Sequence, residues 1–213
     1  AIKNMESVEL YSQNGVTRFQ VNRRNNSANL LTQLTELQGP NDFAVPVLKA
    51  VTAKGNLKAI AFGYACHPTV LSGYDWSGDY PGFAQIELEK DHPGTTALFF
   101  QSSGADQNPL PRHTVPLAKQ YGRELAAAVD RVLEEDMRKL PSNLITSYSE
   151  LDLPLAASPT EAELTKIINN TAGAAYQKRW AQRFLTKIKA GEKLITSYPY
   201  PVQVWSIGNL PLV

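Results

Sequence analysis

The sequence predicts an α/β fold in which a mixed sheet is flanked by helices. Three observations lead there. Apolar runs of strand length and of helix length alternate along the chain. Two β-rich runs, Val45–Thr52 and Leu57–Cys66, are separated only by the turn around Lys54-Gly55-Asn56, which is the pattern of a hairpin. A helical stretch then precedes a third short run, Thr95–Phe100, so a helix lies between two strands.

Each element has a local reason. Residues 17–22 (TRFQVN) alternate polar and apolar, as a strand does. NRRNNSANLL follows and reads as a polar loop. Leu57–Cys66 (LKAIAFGYAC) is apolar at nearly every position, which fits a strand buried on both faces. Tyr80–Lys90 places Phe83, Ile86 and Leu88 at helical spacing, with Asp79 at the N-cap position, Pro81 in the first turn and Pro93-Gly94 beyond the end. TTALFF reads as a short buried strand. Thr114–Leu140 reads as one long helix whose stripe is Leu117, Tyr121, Leu125, Ala128, Val129, Val132 and Leu133. Pro141 stops it. Leu144–Leu153 is strand-like. Ser158-Pro159-Thr160-Glu161 reads as a helix start with Ser158 as cap. That helix runs to Lys189, with a break near Gly173, and Gly191 ends it. Val202–Ile207 and Leu210–Val213 form a closing strand pair around Gly208-Asn209.

Composition narrows the function. The chain has 213 residues, 43% of them hydrophobic, enough for one sizeable core. Its 21 basic and 20 acidic residues leave a net charge of +1, so charge offers no case for nucleic acid or an anionic membrane as partner. No run of about 18 apolar residues suggests an integral membrane segment. The start, AIKNMESVEL, shows no signal-peptide pattern, as a mature secreted chain also would not. Cys66 is the single cysteine, which excludes an internal disulfide framework. The absence of an initiator Met and the apolar ending IGNLPLV suggest a piece of a longer protein, truncated at both ends.

Two loops concentrate polar residues, and both follow the apolar strands: CHPTVLSGYDWSGDYPG after the first, SSGADQNPLPR after the second. Loops at strand carboxyl ends carry the sites of α/β folds. His67 opens the first. It reads as a turn histidine bonded to a backbone carbonyl, as a catalytic base, or as a metal ligand. Asp79 reads as a helix cap and as a carboxylate that orients the His67 ring. Asp106, Gln107 and Asn108 read either as groups that position a polar substrate or as Asx-turn residues serving their own backbone. His92 and His113 read as structural, and Cys66 as a buried apolar residue. No HExxH, CxxC pair, GxSxG, P-loop or GxGxxG occurs. A catalytic zinc takes three protein ligands, so the three scattered histidines offer at most part of such a site.

The strings GYACHPTVLSGYDWSGDYPGFAQIELE and ALFFQSSGADQNPLPR resemble the amino-terminal catalytic domain of the neutral/alkaline ceramidase family, in its bacterial ceramidase-like branch. Asn22-Arg23-Arg24, residues 39–48 and the closing VQVWSIGNLPLV are also similar to that group. The likeness is specific over residues 60–112 and loose over 140–195. It implies a single ceramidase-like segment over 1–213 and a zinc-dependent hydrolase of a lipid amide, releasing a fatty acid and an amine such as sphingosine. It also implies a secreted or extracytoplasmic location. His67 matches one zinc ligand of the family. The family's other histidine would lie upstream, and its glutamate and tyrosine downstream, so residues 1–213 alone are expected to bind zinc weakly and to lack amidase activity. Asp79 and Asp106 match acidic residues of the family's motifs, with Asp79 as the partner that orients His67. Arg24 and Gln107 are the residues that would orient the substrate. Asn108 stands where the family has its proposed nucleophilic serine, and an amide cannot accept an acyl group. That departure leaves open a non-catalytic binding module as the alternative.

Overall fold

The computed structural model describes residues 5–27 and 36–212. Part of the loop read over 22–31, and Val213 of the final strand, lie outside them. The chain divides into two compact units, Ala1–Asn143 and Leu144–Val213, where the sequence suggested one segment.

The first unit contains the strands β1 (Val8–Val16), β2 (Gln20–Asn22), β3 (Ala44–Thr52) and β4 (Leu57–Tyr64), the helix α1 (Asp79–Asp91), the strands β5 (Thr96–Gln101) and β6 (Gln107–Pro109), the helix α2 (Val115–Glu134) and the strand β7 (Arg138–Lys139). Five strands form one sheet in the order β5-β4-β3-β1-β7. The β4–β5 pair is parallel and the other pairs are antiparallel, so the sheet is mixed as expected. Strands β2 and β6 form a separate two-stranded ladder.

The core lies on one face of the sheet. Val45, Val47, Ile60, Phe62 and Ala97 are buried there with Tyr80, Ala84 and Leu88 of α1 and Ala118, Tyr121, Leu125 and Val129 of α2. The apolar stripe of α2 is the one the spacing predicted. Close backbone approach lets the layers meet. A Cβ on Gly122 would fall 2.5 Å from Phe83 Cβ, so the two helices touch at that glycine. A Cβ on Gly15 would fall 2.7 Å from Val132 Cγ2, so β1 lies directly under α2.

Several expectations shift. Strand β1 was not foreseen, because VELYSQNGV carries polar residues at too many positions to show a two-residue period. Only 20–22 of the 17–22 run pair as strand. Strand β4 is not buried on both faces: Ala59 and Ala61 are only half-buried, alternating with the buried Ile60 and Phe62. Strand β5 is not a buried strand but the sheet edge, and Leu98 and Phe100 are exposed. On α1 the buried positions are Tyr80, Ala84 and Leu88, spaced by four, and Ile86 is 59% exposed. The long helix stops at Glu134. Arg138 and Lys139 pair with Ser12 and Tyr11 instead, and Met137 and Leu140 bury beside them. Cross-sheet hydrogen bonds and apolar burial outweigh the few tenths of a kcal/mol per residue that helix propensity offers there.

The second unit contains the strand β8 (Leu144–Pro154), the helices α3 (Glu161–Asn169) and α4 (Ala175–Lys189), and the strands β9 (Ser197–Ile207) and β10 (Leu210–Leu212), with the sheet order β10-β9-β8. The break near Gly173 separates the helices, as expected. The cap of α3 is Thr160 rather than Ser158. Thr160 Oγ1 accepts from Glu163 N while Glu163 Oε2 accepts from Thr160 N at 2.8 Å, a complete capping box. Ser158 and Thr160 each precede a glutamate by three residues, and the pattern alone does not rank them.

Candidate functional site

Strand β4 ends at Tyr64, and the chain turns through Ala65 and Cys66 to reach His67. The loop after β5 crosses directly over that turn. Gly104 permits the crossing: a Cβ there would sit 2.5 Å from Ala65 C and from Cys66 N. A contact under 3.0 Å to backbone cannot be relieved by a rotamer change, so a side chain at 104 would push the two loops apart.

The crossing brings His67 to Gln107. The His67 backbone N–H donates to the Gln107 carbonyl at 3.1 Å, and the ring Nδ1 donates to the same oxygen at 2.9 Å. A carbonyl can only accept, so Nδ1 carries a proton, and in the neutral ring Nε2 then holds the lone pair. Among the described residues Nε2 has no hydrogen-bond partner. A ring fixed through one nitrogen, with the other left to ligate, is the arrangement of a metal-binding histidine. The geometry thus unites the two polar loops that the sequence singled out.

Asp79 serves a different purpose from the one expected. Its carboxylate does not reach the His67 ring. Oδ1 accepts from Val70 N at 3.2 Å and Tyr80 N at 2.7 Å, and Oδ2 accepts from Leu71 N at 2.7 Å. The N-cap position belongs to Gly78, which makes no side-chain cap. Asp79 is the first helical residue, with φ +52, a conformation that aspartate tolerates better than most residues. It clasps the loop behind His67 onto the start of α1. Ring orientation is left to the Gln107 carbonyl.

Asp106 is held from two sides. Asn22 Nδ2 donates to Oδ2 at 2.8 Å and Gln107 Nε2 donates to Oδ1 at 3.1 Å. Asn22 also donates to the Pro40 carbonyl and accepts from Arg24 N. Gln107 Nε2 donates to Pro40 O as well, and Gln20 Nε2 donates to Asp42 O. Asn26 ties Asn22 O to Gln38 O. Gln20, Asn22, Asn26 and Gln107 are all buried. They form a polar belt that fixes the 36–42 segment and Asp106 beside the His67 turn. The sequence named Gln107 and Asp106 but missed Gln20 and Asn26, because an isolated Asn or Gln carries no spacing signal. Gln107 acts here as scaffold, through both its side chain and its carbonyl. The Arg24 side chain is exposed and the structure brings it to no described partner. Asn108 is half-buried on β6 opposite Val21, with its Oδ1 unpaired. Thr69 Oγ1 and Arg112 Nε, on the same two loops, are also buried and unpaired among the described residues.

Beneath the turn lies an aromatic floor. Phe19 stacks on Tyr121 at 4.6 Å and meets Tyr64 at 4.7 Å and Tyr80 at 5.1 Å. Each hydroxyl donates to a backbone carbonyl: Tyr80 to Cys66 at 2.7 Å, Tyr64 to Thr17 at 3.1 Å and Tyr121 to Pro111 at 2.6 Å. Burial drives all three phenols up, Tyr121 to about 12, so they are neutral supports of the loops. Burial likewise pushes the Cys66 thiol up, which excludes an activated thiolate.

No group of three His, Cys, Asp or Glu side chains that could hold a metal occurs among the described residues. A concavity of about 590 Å³ lies at the other end of β4 beside Asn56, Lys58, Asp91 and His92. Two of its ionisable groups are already paired, Lys58 with Glu6 and His92 with Asp130, each at 2.8 Å. It carries none of the residues of the two polar loops.

No family model and no curated protein matches this sequence. Solved structures do match. A ceramidase complexed with C2 superposes with a TM-score of 0.66 at 17% identity, over 99% of this chain and 42% of its own. The neutral ceramidase of Pseudomonas aeruginosa superposes with a TM-score of 0.65 at 19% identity, over 99% of this chain and 40% of its own. The fold of this chain is therefore that of the corresponding part of ceramidases, and the chain spans about two-fifths of their length.

Proposed function

We propose that this chain forms part of the active site of a zinc-dependent amidase acting on a lipid amide such as an N-acylsphingosine, in an extracytoplasmic setting. One observation carries the reading. In a chain with the ceramidase fold, His67 donates Nδ1–H to a backbone carbonyl and keeps Nε2 free. His67 would be one zinc ligand, and the others would come from polypeptide beyond residues 1–213. Zinc, when bound, supplies Lewis-acid polarisation of the scissile carbonyl.

The residues of this chain do the positioning. The Gln107 carbonyl holds the imidazole tautomer. Asp79 and Tyr80 clamp the 66–71 turn so that the ring cannot drift. Asp106, restrained by Asn22 and Gln107, presents a fixed carboxylate next to the turn. Asn108 can donate to or accept from a substrate but cannot be acylated, so on this reading the attack falls to water. Arg24 is free to meet a polar head group. The binding-module alternative rests on Asn108, and metal analysis with an amide-substrate screen on the full-length protein separates the two.

In the full-length protein, His67→Ala is expected to lose zinc and amide turnover together. Retention of one zinc per chain in that variant overturns the ligand assignment.

A further inference from the structure

We propose that the tip of the loop between His67 and α1, carrying Tyr74 and Trp76, is a contact element for a zwitterionic lipid surface. The inference deepens the lipid-amide reading and rests on it for its purpose, though not for its test.

Tyr74 and Trp76 stand at 106% and 104% relative exposure, more than any other large hydrophobic residue described. A single exposed apolar side chain needs no explanation. Two aromatic rings two residues apart on one tip do. Their exposure is not that of an unfastened loop, because both feet are tied. On one side Leu71 N donates to the Asp79 carboxylate at 2.7 Å, and Ser72 Oγ lies 3.2 Å from His113 Nδ1. On the other, Asp79 N donates to Ser77 Oγ at 3.0 Å. The same Asp79 clasp that steadies the His67 turn therefore also supports the tip.

The chemistry selects the partner. Tyrosine and tryptophan combine an apolar ring with a polar handle, and this pairing favours the boundary between lipid tails and water. The rings are flanked by Gly73, Asp75 and Ser77, which are small or polar. Their neighbours along the chain thus add no further apolar side chain to the pair, whereas the core of a protein interface is a wider apolar patch. Asp75 sits between them, and the net charge of the chain is only +1, so anionic headgroups gain nothing. Attachment by ring burial to a surface without net charge is what remains. It would bring the His67 loop to the boundary where an N-acylated lipid presents its amide.

The test uses the full-length protein and extruded phosphatidylcholine vesicles. The native protein is expected to co-sediment with them, and Trp76 emission, taken as the difference from Trp76→Phe, is expected to shift to the blue. Tyr74→Ser/Trp76→Ser should lower the partition coefficient on the order of tenfold or more, with circular dichroism and zinc content unchanged. Adding phosphatidylserine should not tighten binding. Equal partition of the double variant overturns the proposal. So does shielding of Trp76 from acrylamide before lipid is added, which would assign the tip to a contact with the rest of the polypeptide. If the amidase reading alone fails, a soluble short-chain amide goes uncleaved while vesicle binding persists.

Discussion

The strands of the first unit and those of the second follow the same pairing rules and end in opposite environments. Strands β3 and β4 pair in register from Val47↔Phe62 to Ala50↔Ala59, and α1 and α2 bury Val47, Ile60 and Phe62 on one face of them. Strands β8 and β9 pair over a longer stretch, from Leu144↔Ile207 to Pro154↔Ser197. Yet every residue of β8 is exposed, Ile145, Tyr148, Leu151 and Leu153 included. Helices α3 and α4 bury Leu164, Ala181 and Leu185 against one another. Hydrogen-bonded pairing sets register, but only a covering layer turns an alternating strand into a core. The candidate site belongs to the unit where that layer exists, and its rigidity depends on it.

The largest expected effect tests this contrast directly. Phe62 is wholly buried at the centre of the sheet, so Phe62→Ala should cost about 4 kcal/mol. Leu164→Ala, in a cluster of three, should cost about 2 kcal/mol and be confined to the second unit. Urea titration in a Trp76→Phe background follows Trp180, which packs on Phe184 at 5.0 Å, together with Trp205, and both belong to the second unit. Equal losses, or a Phe62 variant that melts this signal in step, would break the comparison.

A middling effect belongs to the clasp. Asp79→Ala strands the amides of Val70, Leu71 and Tyr80 and should cost about 3 kcal/mol. Cys66, buried beside the clasp, provides the readout: its reaction with a maleimide should be negligible in the native protein and rise in the variant. Unchanged labelling would show that the turn holds without the carboxylate.

The smallest effect sharpens the picture of the second unit. The Thr160 amide, and then its hydroxyl, donate to Glu163 and hold its carboxyl below the ordinary value. A lowered folded value contributes stability that is full above the unfolded carboxyl's pKa of about 4.3 and is lost as pH falls through the folded value. Acidification below about pH 4 should therefore fray α3 at Thr160 first, seen as faster exchange of the Glu163 amide. An amide that stays protected at pH 2 would deny the box its role.

Much of this was legible from local pattern. The stripe of α2 repeats so regularly that burial could only fall on one side, and the Gly55 turn between two apolar runs left little choice but a hairpin. The two polar loops were visible as breaks after apolar strands. What stayed hidden depended on partners remote in the chain. Strand β1 looks polar until β3 pairs with it. Arg138 and Lys139 look helical until β1 offers its edge. Asp79 looks like a cap because its true partners, the amides of Val70 and Leu71, become its neighbours only when the loop closes. Gln20 and Asn26 mark nothing in sequence, since a lone amide side chain has no period.

The amino-acid order by itself determined the α/β alternation and the presence of a histidine at a strand end, because these rest on period, turn chemistry and composition. Only tertiary structure decided which oxygen holds the His67 ring, what Asp79 clasps and which sheet face is covered. Those outcomes depend on long-range hydrogen bonds and on a backbone crossing that Gly104 alone makes possible, and neither leaves a local trace.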